Sequence, residues 1–375
     1  MIRVGLIGFG MAGRVFHGPL ISSVDGLGLA AVLERSSDNA VKRYPRITTY
    51  RSLDAMLADS SLGLFVVATP SGTHFEFASQ VLQAGKHVIV DKPMSTTSAR
   101  IAELIELATR KNCLLIPFHN RRWDSDFLTI QKLLHEGSLG RLVYLESRFD
   151  RWRPNPPSDR LWKEDPSAGG GVLMDLGTHI ADQALHLFGL PEAISADVLC
   201  EREWARANDA FYLRLRYPGF TVALGANSLS MPARPRFHIR GSKGNFWKWG
   251  LDPQEAALNQ IVRIADPGWG RELPENWGTL NVDVEGGSVS RPVAPVLGDY
   301  RLFYAGVRDA VLGKASPPVA AIDAWRVARL LEWAVESSEQ RREVACDWTL
   351  QPNKPPTLPH RAAQFRTVPK LRAAP

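Results

Sequence analysis

The sequence has little cysteine and no long run of apolar residues. Its three cysteines, Cys113, Cys200 and Cys346, lie far apart in a chain of 375 residues, a distribution that fits neither a disulfide framework nor a zinc cluster. No apolar run approaches the roughly 18 residues that a membrane-spanning helix needs. Arg3 and Gly5 interrupt the N-terminal apolar run before the core of a signal peptide could form. We therefore expect a cytoplasmic protein with no membrane partner and no metal site.

Acidic residues are absent from the last part of the chain. From Trp348 onward there are five basic residues and six prolines, whereas the preceding residues balance 40 Lys and Arg against 39 Asp and Glu. The net charge of +6 therefore belongs to a tail and not to a folded basic surface, and we expect no nucleic-acid partner. The proline content predicts that residues 348–375 are extended or disordered.

The first 120 residues alternate apolar strands with amphipathic helices. The predicted strands are Ile2–Ile7, Leu29–Leu33, Leu64–Ala68, His87–Val90 and Cys113–Pro117, and the helical segments between them include Val15–Val24, Leu53–Ala58, His74–Ala84 and Ser98–Arg110. This alternation predicts an α/β Rossmann domain over residues 1–120, with a doubly wound parallel sheet.

After residue 120 the pattern becomes rich in strands. The predicted elements are a helix over Phe127–His135, strands over Leu142–Phe149, Ile194–Leu199, Ala210–Tyr217, Phe220–Ala226, Arg236–Arg240 and Asn245–Trp249, and two closing helices over Tyr300–Leu312 and Ile322–Gln340. Short turns such as Pro218-Gly219 favour antiparallel pairing. We expect a second, α+β domain over residues 121–347 with an open, mainly antiparallel sheet, which binds substrate and forms oligomers.

The first predicted strand leads directly into Gly8-Phe9-Gly10-Met11-Ala12-Gly13, which has the spacing G-x-G-x-x-G. Between a strand and a helix, this motif is typical of a dinucleotide-binding turn. Gly8 allows the tight turn, Gly10 lets the backbone approach a pyrophosphate, and Gly13 lets the helix pack closely on the strand. The helix that follows offers N–H groups to the phosphates. The alternative is a structural turn with no ligand.

The end of the second predicted strand bears on the choice between NAD and NADP. Glu34 lies near the position of the acid that binds the ribose hydroxyls of NAD. Arg35, Ser36 and Ser37 follow at once, and a basic residue with two small hydroxyls suits the 2′-phosphate of NADP better. We therefore expect NADP to be preferred, with NAD as the alternative. A solvated charge at the strand end is the plain structural interpretation of Glu34.

Two more predicted strands end in segments that cannot continue a sheet. The third ends in Thr69-Pro70-Ser71-Gly72-Thr73-His74, and the fourth in Asp91-Lys92-Pro93, where the proline stops the strand. The carboxyl ends of parallel strands meet at one edge of the sheet, where ligands bind. Lys92 is therefore predicted to lie on the same edge as the glycine turn.

A predicted helix in the second domain carries an acid and a histidine four residues apart. The segment begins Gly169-Gly170-Gly171 and contains Asp175 and His179. On a helix this spacing places the two side chains on one face. An acid beside a histidine orients the ring and raises its pKa, which suits a proton acceptor. A helix-surface ion pair and a hydrogen-bonded core histidine are the structural alternatives.

In this order and spacing, the motifs resemble those of the Gfo/Idh/MocA family of sugar and polyol dehydrogenases, over residues 1 to about 345. Members carry the glycine motif, an acid-Lys-Pro motif that is usually Glu-Lys-Pro, and an Asp-x-x-x-His helix. The resemblance implies that Lys92 and His179 act in substrate binding and proton transfer, with Asp175 in support. Asp91 departs from the pattern, because it is one methylene shorter than the usual glutamate.

The motifs and the resemblance together assign cofactor binding to residues at the carboxyl ends of the predicted strands. These residues are Gly8, Phe9, Gly10, Met11, Ala12, Gly13, Glu34, Arg35, Ser36, Thr69, Pro70, Ser71, His74, Asp91, Lys92 and Asn120.

A narrower resemblance is to NADP-dependent scyllo-inositol dehydrogenases and their close relatives. It rests on the segments His119–Phe127, Arg151-Trp152-Arg153-Pro154 and Gly241–Asp252. Polyols are recognised by many hydrogen bonds and by an aromatic ring against an apolar sugar face. Arg153 and Trp162 have suitable side chains and are predicted to bind substrate with Lys92, Asp175 and His179, although a surface or interface cluster is the alternative.

We therefore expect an NAD(P)-dependent enzyme that interconverts a secondary alcohol of a cyclic polyol or sugar with its ketone. The resemblance also implies a homodimer or homotetramer formed through the second sheet, whose open face is predicted to be apolar. Two other functions remain open. One is a reductase of another carbonyl or dihydrodiol substrate, and the other is a nucleotide-sensing regulator without catalysis.

Overall fold

The computed structural model describes residues 1–155, 164–165, 169–260, 264, 266, 268–349 and 366–367. The helices are α1 (Gly18–Ser22), α2 (Asn39–Arg43), α3 (Leu53–Leu57), α4 (His74–Gln83), α5 (Ser98–Arg110), α6 (Ser125–His135), α7 (Thr178–Phe188), α8 (Gln254–Asn259), α9 (Arg301–Val311) and α10 (Ala321–Gln340). A π-helical turn precedes α1 (Gly13–His17) and another precedes α7 (Leu173–Gly177), and short 3₁₀ turns span Ser71–Thr73, Asn120–Trp123 and Pro274–Asn276. None of the helices in the described ranges is both long and apolar enough to cross a membrane.

The strands fall into two sheets. They are β1 (Ile2–Ile7), β2 (Leu27–Leu33), β3 (Thr48–Tyr50), β4 (Leu64–Val67), β5 (His87–Val90), β6 (Leu115–Pro117), β7 (Leu142–Arg148), β8 (Ala193–Cys200), β9 (Ala210–Tyr217), β10 (Phe220–Asn227), β11 (Phe237–Gly241), β12 (Gly244–Lys248), β13 (Gly278–Val284), β14 (Gly287–Val293), β15 (Val344–Ala345) and β16 (Arg366–Thr367).

The first compact unit comprises Met1–Ile130, Asp252–Leu273 and Pro295–Arg326. Its sheet has six parallel strands in the order β3-β2-β1-β4-β5-β6. The connections run in opposite directions on either side of the β1–β4 pair, and in such sheets the ligand crevice lies at that reversal. The doubly wound parallel sheet predicted from the sequence is confirmed, with β3 as an additional edge strand.

Helix α9 belongs to this first unit, which corrects its placement in the second domain. Its buried residues Phe303, Tyr304 and Val307 pack in one core cluster with Val4 and Leu6 of β1. The amphipathic pattern predicts that the helix has a buried face. The pattern does not indicate which hydrophobic core the buried face packs against. In this protein that face packs against β1, which lies about 300 residues earlier in the chain.

The second unit comprises Gln131–Leu251, Pro274–Ala294 and Val327–Pro375. Its strands follow the order β14-β13-β12-β11-β7-β10-β9-β8-β15, and β16 pairs with β8. The pairings are antiparallel except for β7 with β10 and β8 with β16, so the predicted open, mainly antiparallel sheet is confirmed. The β13–β14 hairpin was not predicted, although Gly286 in its two-residue loop and Gly287 at the start of β14 form a Gly-Gly pair typical of hairpins.

The two faces of this sheet differ in chemistry. In β9, Phe211, Leu213 and Leu215 are buried, while Arg214 and Arg216 on the opposite side are exposed. On that opposite face the His238 ring stacks on Trp247 with 3.5 Å between ring centroids. The expectation that the open face is apolar is therefore wrong, because charged and aromatic side chains cover much of it.

Candidate active site

The glycine turn between β1 and the following helix has the geometry that a dinucleotide-binding turn needs. Gly8 has φ = +95°, and a Cβ there would lie 3.0 Å from the carbonyl oxygen of Ala68 at the end of β4. A Cβ on Gly13 would lie 2.3 Å from the carbonyl oxygen of Gly8. Gly10 is exposed and has open space on its Cβ side. Gly8 and Gly13 therefore shape the turn, and Gly10 leaves room for a ligand to reach its backbone.

The other three residues of the motif complete this turn. Phe9 is buried and packs edge-on against Tyr44, with ring centroids 6.1 Å apart. Met11 and Ala12 are half-buried at the start of the helix. Phe9 therefore anchors the turn in the core, while the residues beside it remain accessible.

At the end of β2, the carboxylate of Glu34 is used within the protein. Glu34 is buried, its Oε1 accepts a hydrogen bond from Ser37 Oγ at 2.6 Å, and its Oε2 accepts one from the amide of Ala40 at 2.9 Å. Arg35 and Ser36 are exposed beside it. The alternative interpretation of Glu34 as a solvated charge is wrong, because its buried side chain accepts a hydrogen bond from the first turn of α2.

The turn after β4 is tied to the turn after β5 through one histidine. Thr69 is half-buried, Pro70 is exposed and Ser71 is buried. His74, the first residue of α4, is 1% exposed and contacts the carbonyl oxygens of Thr69 and Pro93 with its two ring nitrogens. The ring thus lies beneath the two turns rather than at their surface.

The Asp91-Lys92-Pro93 turn lies beside the buried side chain of His17, which was not predicted from the sequence. Asp91 Oδ1 accepts the amide of Lys92 at 2.8 Å, and its Oδ2 lies 3.9 Å from Nε2 of the fully buried His17. His17 Nδ1 lies 2.6 Å from the hydroxyl of Tyr304 in α9. No local signal marks His17, because its partners lie far away in the chain. Lys92 itself is half-buried.

The Asp91 carboxyl is held in its ionised form. Burial raises its pKa, but the hydrogen bond with His17 and the electrostatic interactions with His17, His74 and Lys92 outweigh that effect and hold the pKa below its ordinary value. The turn that carries Lys92 therefore contains a half-buried anion with basic side chains around it.

Asn120 follows β6 at the same edge of the sheet. Strands β1, β4, β5 and β6 are parallel, so their carboxyl ends lie side by side. Asn120 begins the 3₁₀ turn after β6 and is 4% exposed. The structure therefore brings the predicted cofactor residues of the first unit to one edge of its sheet.

In the second unit, Asn208 fixes the start of the helical segment that carries Asp175 and His179. Its Oδ1 accepts the amide of Leu173 at 2.7 Å, and its backbone oxygen accepts the amide of Val172 at 2.8 Å. Gly171 has φ = +109°, and a Cβ there would lie 2.6 Å from Asn208 Nδ2. The glycine run before the helix is thus required for close approach of Asn208, which sequence reading missed.

Asp175 and His179 lie on this one continuous helical segment, on either side of the junction between the π turn and α7. Asp175 is half-buried, and its amide donates to the carbonyl oxygen of Gly171 at 3.0 Å. His179 is 6% exposed. π-helical turns recur at functional sites, and here they occur in both helices that carry the sequence motifs.

The segment that contains Arg153 is held from one side by an arginine and a tryptophan. Arg202 Nη1 donates to the carbonyl oxygen of Arg153 at 3.1 Å, and Trp204 Nε1 donates to that of Pro154 at 2.6 Å. The Arg202 guanidinium stacks on the Trp204 ring and binds Asp209. The Arg153 side chain is exposed. Trp162, the other predicted substrate contact, lies outside the described residues.

Comparison with known families gives two matches, which together cover most of the chain. The family model described as "Oxidoreductase family, NAD-binding Rossmann fold" matches residues 2–119. The model described as "Oxidoreductase family, C-terminal alpha/beta domain" matches residues 131–346. Both models carry the Gfo/Idh/MocA designation.

Several individual proteins are similar over most of their length. The uncharacterized oxidoreductase YdgJ of Escherichia coli is 42% identical, over 91% of this chain and 97% of YdgJ. The scyllo-inositol 2-dehydrogenase (NADP⁺) IolW of Bacillus subtilis is 36% identical, over 92% of this chain and 95% of IolW. Among solved structures, YvaA of B. subtilis has a TM-score of 0.88 and 35% identity, with coverage of 92% and 99%. YPO2259 of Yersinia pestis has a TM-score of 0.86 and 40% identity, with coverage of 92% and 97%.

Proposed function

Because this chain belongs to the Gfo/Idh/MocA family of NAD(P)-binding oxidoreductases, we propose that it interconverts a secondary alcohol of a cyclic polyol or sugar with the corresponding ketone. The polyol class follows the similarity to IolW, a scyllo-inositol dehydrogenase. NADP is the proposed preferred cofactor.

The observation that carries the proposal is the position of Lys92. Its turn follows β5, and β5 is the neighbour of β4, whose end approaches Gly8 of the glycine turn. A cation at this edge would lie beside a bound nicotinamide, where it could stabilise negative charge on the reacting oxygen. The proposed role of Lys92 is therefore to bind and polarise that oxygen.

The remaining roles concern the proton. When bound, the nicotinamide would supply or accept the hydride. The proposed base for the hydroxyl proton is His179, since a buried histidine with a neighbouring acid suits proton transfer near neutral pH. Asp175 is proposed to orient the His179 ring or to bind an adjacent hydroxyl. Arg153, exposed on a braced segment, is proposed to hydrogen-bond the polyol.

The preference for NADP rests on Glu34 and Arg35. The Glu34 carboxylate, which would bind the ribose hydroxyls of NAD, is buried and already accepts hydrogen bonds from Ser37 and the amide of Ala40. Arg35, by contrast, is exposed at the same strand end and is available to a 2′-phosphate. The arrangement therefore favours the phosphorylated cofactor.

Replacement of Arg35 by alanine is expected to weaken NADPH binding about 10- to 100-fold, the usual worth of a charge-assisted contact, and to leave NADH binding nearly unchanged. The measurement is the quenching of protein tryptophan fluorescence on titration with each cofactor. Gly10→Ala is the matched comparison, because a Cβ there meets open space but would obstruct the pyrophosphate. It should weaken both cofactors by a similar factor. Equal losses for both cofactors in Arg35→Ala would contradict the assignment.

The reaction itself is tested with a panel of inositols, sugars and dihydrodiols, using both NAD and NADP and the absorbance of the reduced cofactor. Turnover of a cyclic polyol supports the proposal. Turnover of a dihydrodiol, or reduction of an unrelated carbonyl alone, would establish the second candidate. Cofactor binding without turnover of any substrate would favour a nucleotide-sensing regulator.

We also propose that the open face of the second sheet forms a homodimer or homotetramer. Tryptophan and arginine are enriched at protein interfaces, and this face carries Trp247, stacked on His238, together with the exposed Arg214 and Arg216. Trp247→Asp should lower the mass measured by sedimentation equilibrium to that of the monomer without loss of the folded circular dichroism spectrum. A native protein that sediments as a monomer would refute this proposal.

A further inference from the structure

His74 makes two contacts that constrain its protonation state. Its Nδ1 lies 2.8 Å from the carbonyl oxygen of Pro93, and its Nε2 lies 2.7 Å from the carbonyl oxygen of Thr69. Both distances are those of normal N–H···O hydrogen bonds. The ring is 1% exposed, so solvent contributes almost nothing to its hydrogen bonding.

A carbonyl oxygen can only accept a hydrogen bond, so each ring nitrogen must donate. Neutral imidazole carries one N–H and one lone pair, and the lone pair would face an oxygen at less than 3 Å. Turning the ring over does not solve this, because ring carbons would then sit well inside the 3.3–3.6 Å range of C–H···O contacts. The doubly protonated, positively charged ring satisfies both contacts.

A buried cation needs a nearby anion, and the structure supplies Asp91. The basic groups that act on this carboxylate come from three elements: His17 from the π turn before α1, His74 from α4, and Lys92 from its own turn. Together they hold the pKa of Asp91 below its ordinary value, although burial alone would raise it. Tyr304 of α9 contacts His17 from the far side. The ionised Asp91 carboxylate therefore contributes negative charge to the surroundings of the His74 ring.

We propose that His74 is a buried imidazolium that ties the turn after β4 to the turn after β5 and so positions the backbone that carries Lys92. One hydrogen bond goes to the carbonyl oxygen of Thr69, in the turn after β4. The other goes to that of Pro93, which directly follows Lys92. His74 is a positioning residue in this assignment. The effect of His74 on catalysis rests on the proposed function, whereas the charge of its ring and its two hydrogen bonds do not.

The charge is tested by NMR on the full-length protein labelled with ¹⁵N histidine. At pH 7.5 both ring nitrogens of His74 should show the chemical shifts of protonated nitrogens. Signals are assigned by their loss in His74→Gln or, if that variant does not fold, by NOEs from the ring to Thr69 and Pro93. An unprotonated nitrogen on His74 would overturn the proposal.

The positioning role is tested by hydrogen–deuterium exchange, which requires no substrate. The amide of Asp91 bonds to the carbonyl oxygen of Val67, and that of Lys92 to Asp91 Oδ1. In His74→Gln the side-chain amide replaces the two ring nitrogens with one donor nitrogen and one acceptor oxygen. Both backbone amides should then exchange about tenfold faster, while those of α5 keep their native rates. His135→Gln is the matched control and should change none of them. Native exchange at Asp91 and Lys92 in His74→Gln would overturn the positioning role.

Activity measurements then separate this proposal from the proposed function. If the polyol reaction occurs, kcat of His74→Gln should fall about 10- to 100-fold, since small displacements of a reacting group have effects of that size. Unchanged kcat in an active enzyme would overturn the positioning role. If the native protein turns over no substrate, the proposed function fails, and the NMR and exchange results still decide the state and role of His74.

Discussion

Replacing Lys92 with alanine is expected to lower kcat/KM for the polyol by about 100- to 1,000-fold, the usual effect of removing a group that stabilises charge on a reacting oxygen. The loss should be much larger than any change in cofactor affinity, because most of the predicted cofactor contacts come from the glycine turn and the end of β2. Steady-state kinetics with a saturating cofactor, together with a cofactor titration, measure the two effects separately.

Lys86 provides the matched control for this substitution. It immediately precedes β5, at the opposite end from Lys92, and its Nζ donates to the carbonyl oxygen of Leu62 at 2.9 Å. Lys86→Ala removes the same charge from the same strand but from the edge away from the glycine turn, and it should leave kcat/KM within about twofold of native. Equal activity of native protein and Lys92→Ala would refute the assigned role of Lys92.

Replacing His179 with glutamine is expected to lower kcat for alcohol oxidation by about 100- to 10,000-fold, the range attributed to general acid–base catalysis. The native rate should fall at low pH, where a histidine base is protonated, and this acidic limb should be absent from the residual activity of the variant. The measurement is kcat and kcat/KM as functions of pH for both proteins.

His186 is the control for this variant, because it lies seven residues later in α7 and is exposed. His186→Gln should retain both native activity and the native pH profile. A His179→Gln enzyme that keeps the acidic limb would show that another group accepts the proton. Full activity in that variant would make His179 a structural histidine, which is the alternative that the sequence left open.

Part of the candidate site could be predicted because its signals are local. Gly8, Gly10 and Gly13 act within one turn. A Cβ at Gly8 or Gly13 would collide with backbone atoms, which agrees with the tight turn and close packing predicted from their spacing. Lys92 could be placed at a strand end because a proline stops the strand immediately after it. Glu34 shows the limit of this reasoning, because its position suggested a ribose contact or a solvated charge while its carboxylate binds Ser37 and the amide of Ala40.

Other features of the site could not be predicted from the sequence, because the residues that contact each other lie far apart in the chain. His17 contacts Tyr304, 287 residues later, and Asn208 holds the amide of Leu173, 35 residues earlier. Neither pairing leaves a periodic pattern or a spacing that can be recognised in one sequence. The same reason explains the misplacement of α9, whose buried face was predictable but whose partner core was not.

The sequence by itself determined the parallel sheet, the antiparallel sheet and the edge on which Lys92 lies, since strand periodicity, glycine turns and proline stops act over a few residues. The tertiary structure decided what surrounds that edge. It brought Asp91 together with His17, His74 and Lys92, and it directed both nitrogens of His74 to carbonyl oxygens on two different turns. The physical reason is that charge state and hydrogen bonding depend on burial and on groups brought together from distant segments, and neither is written in local spacing.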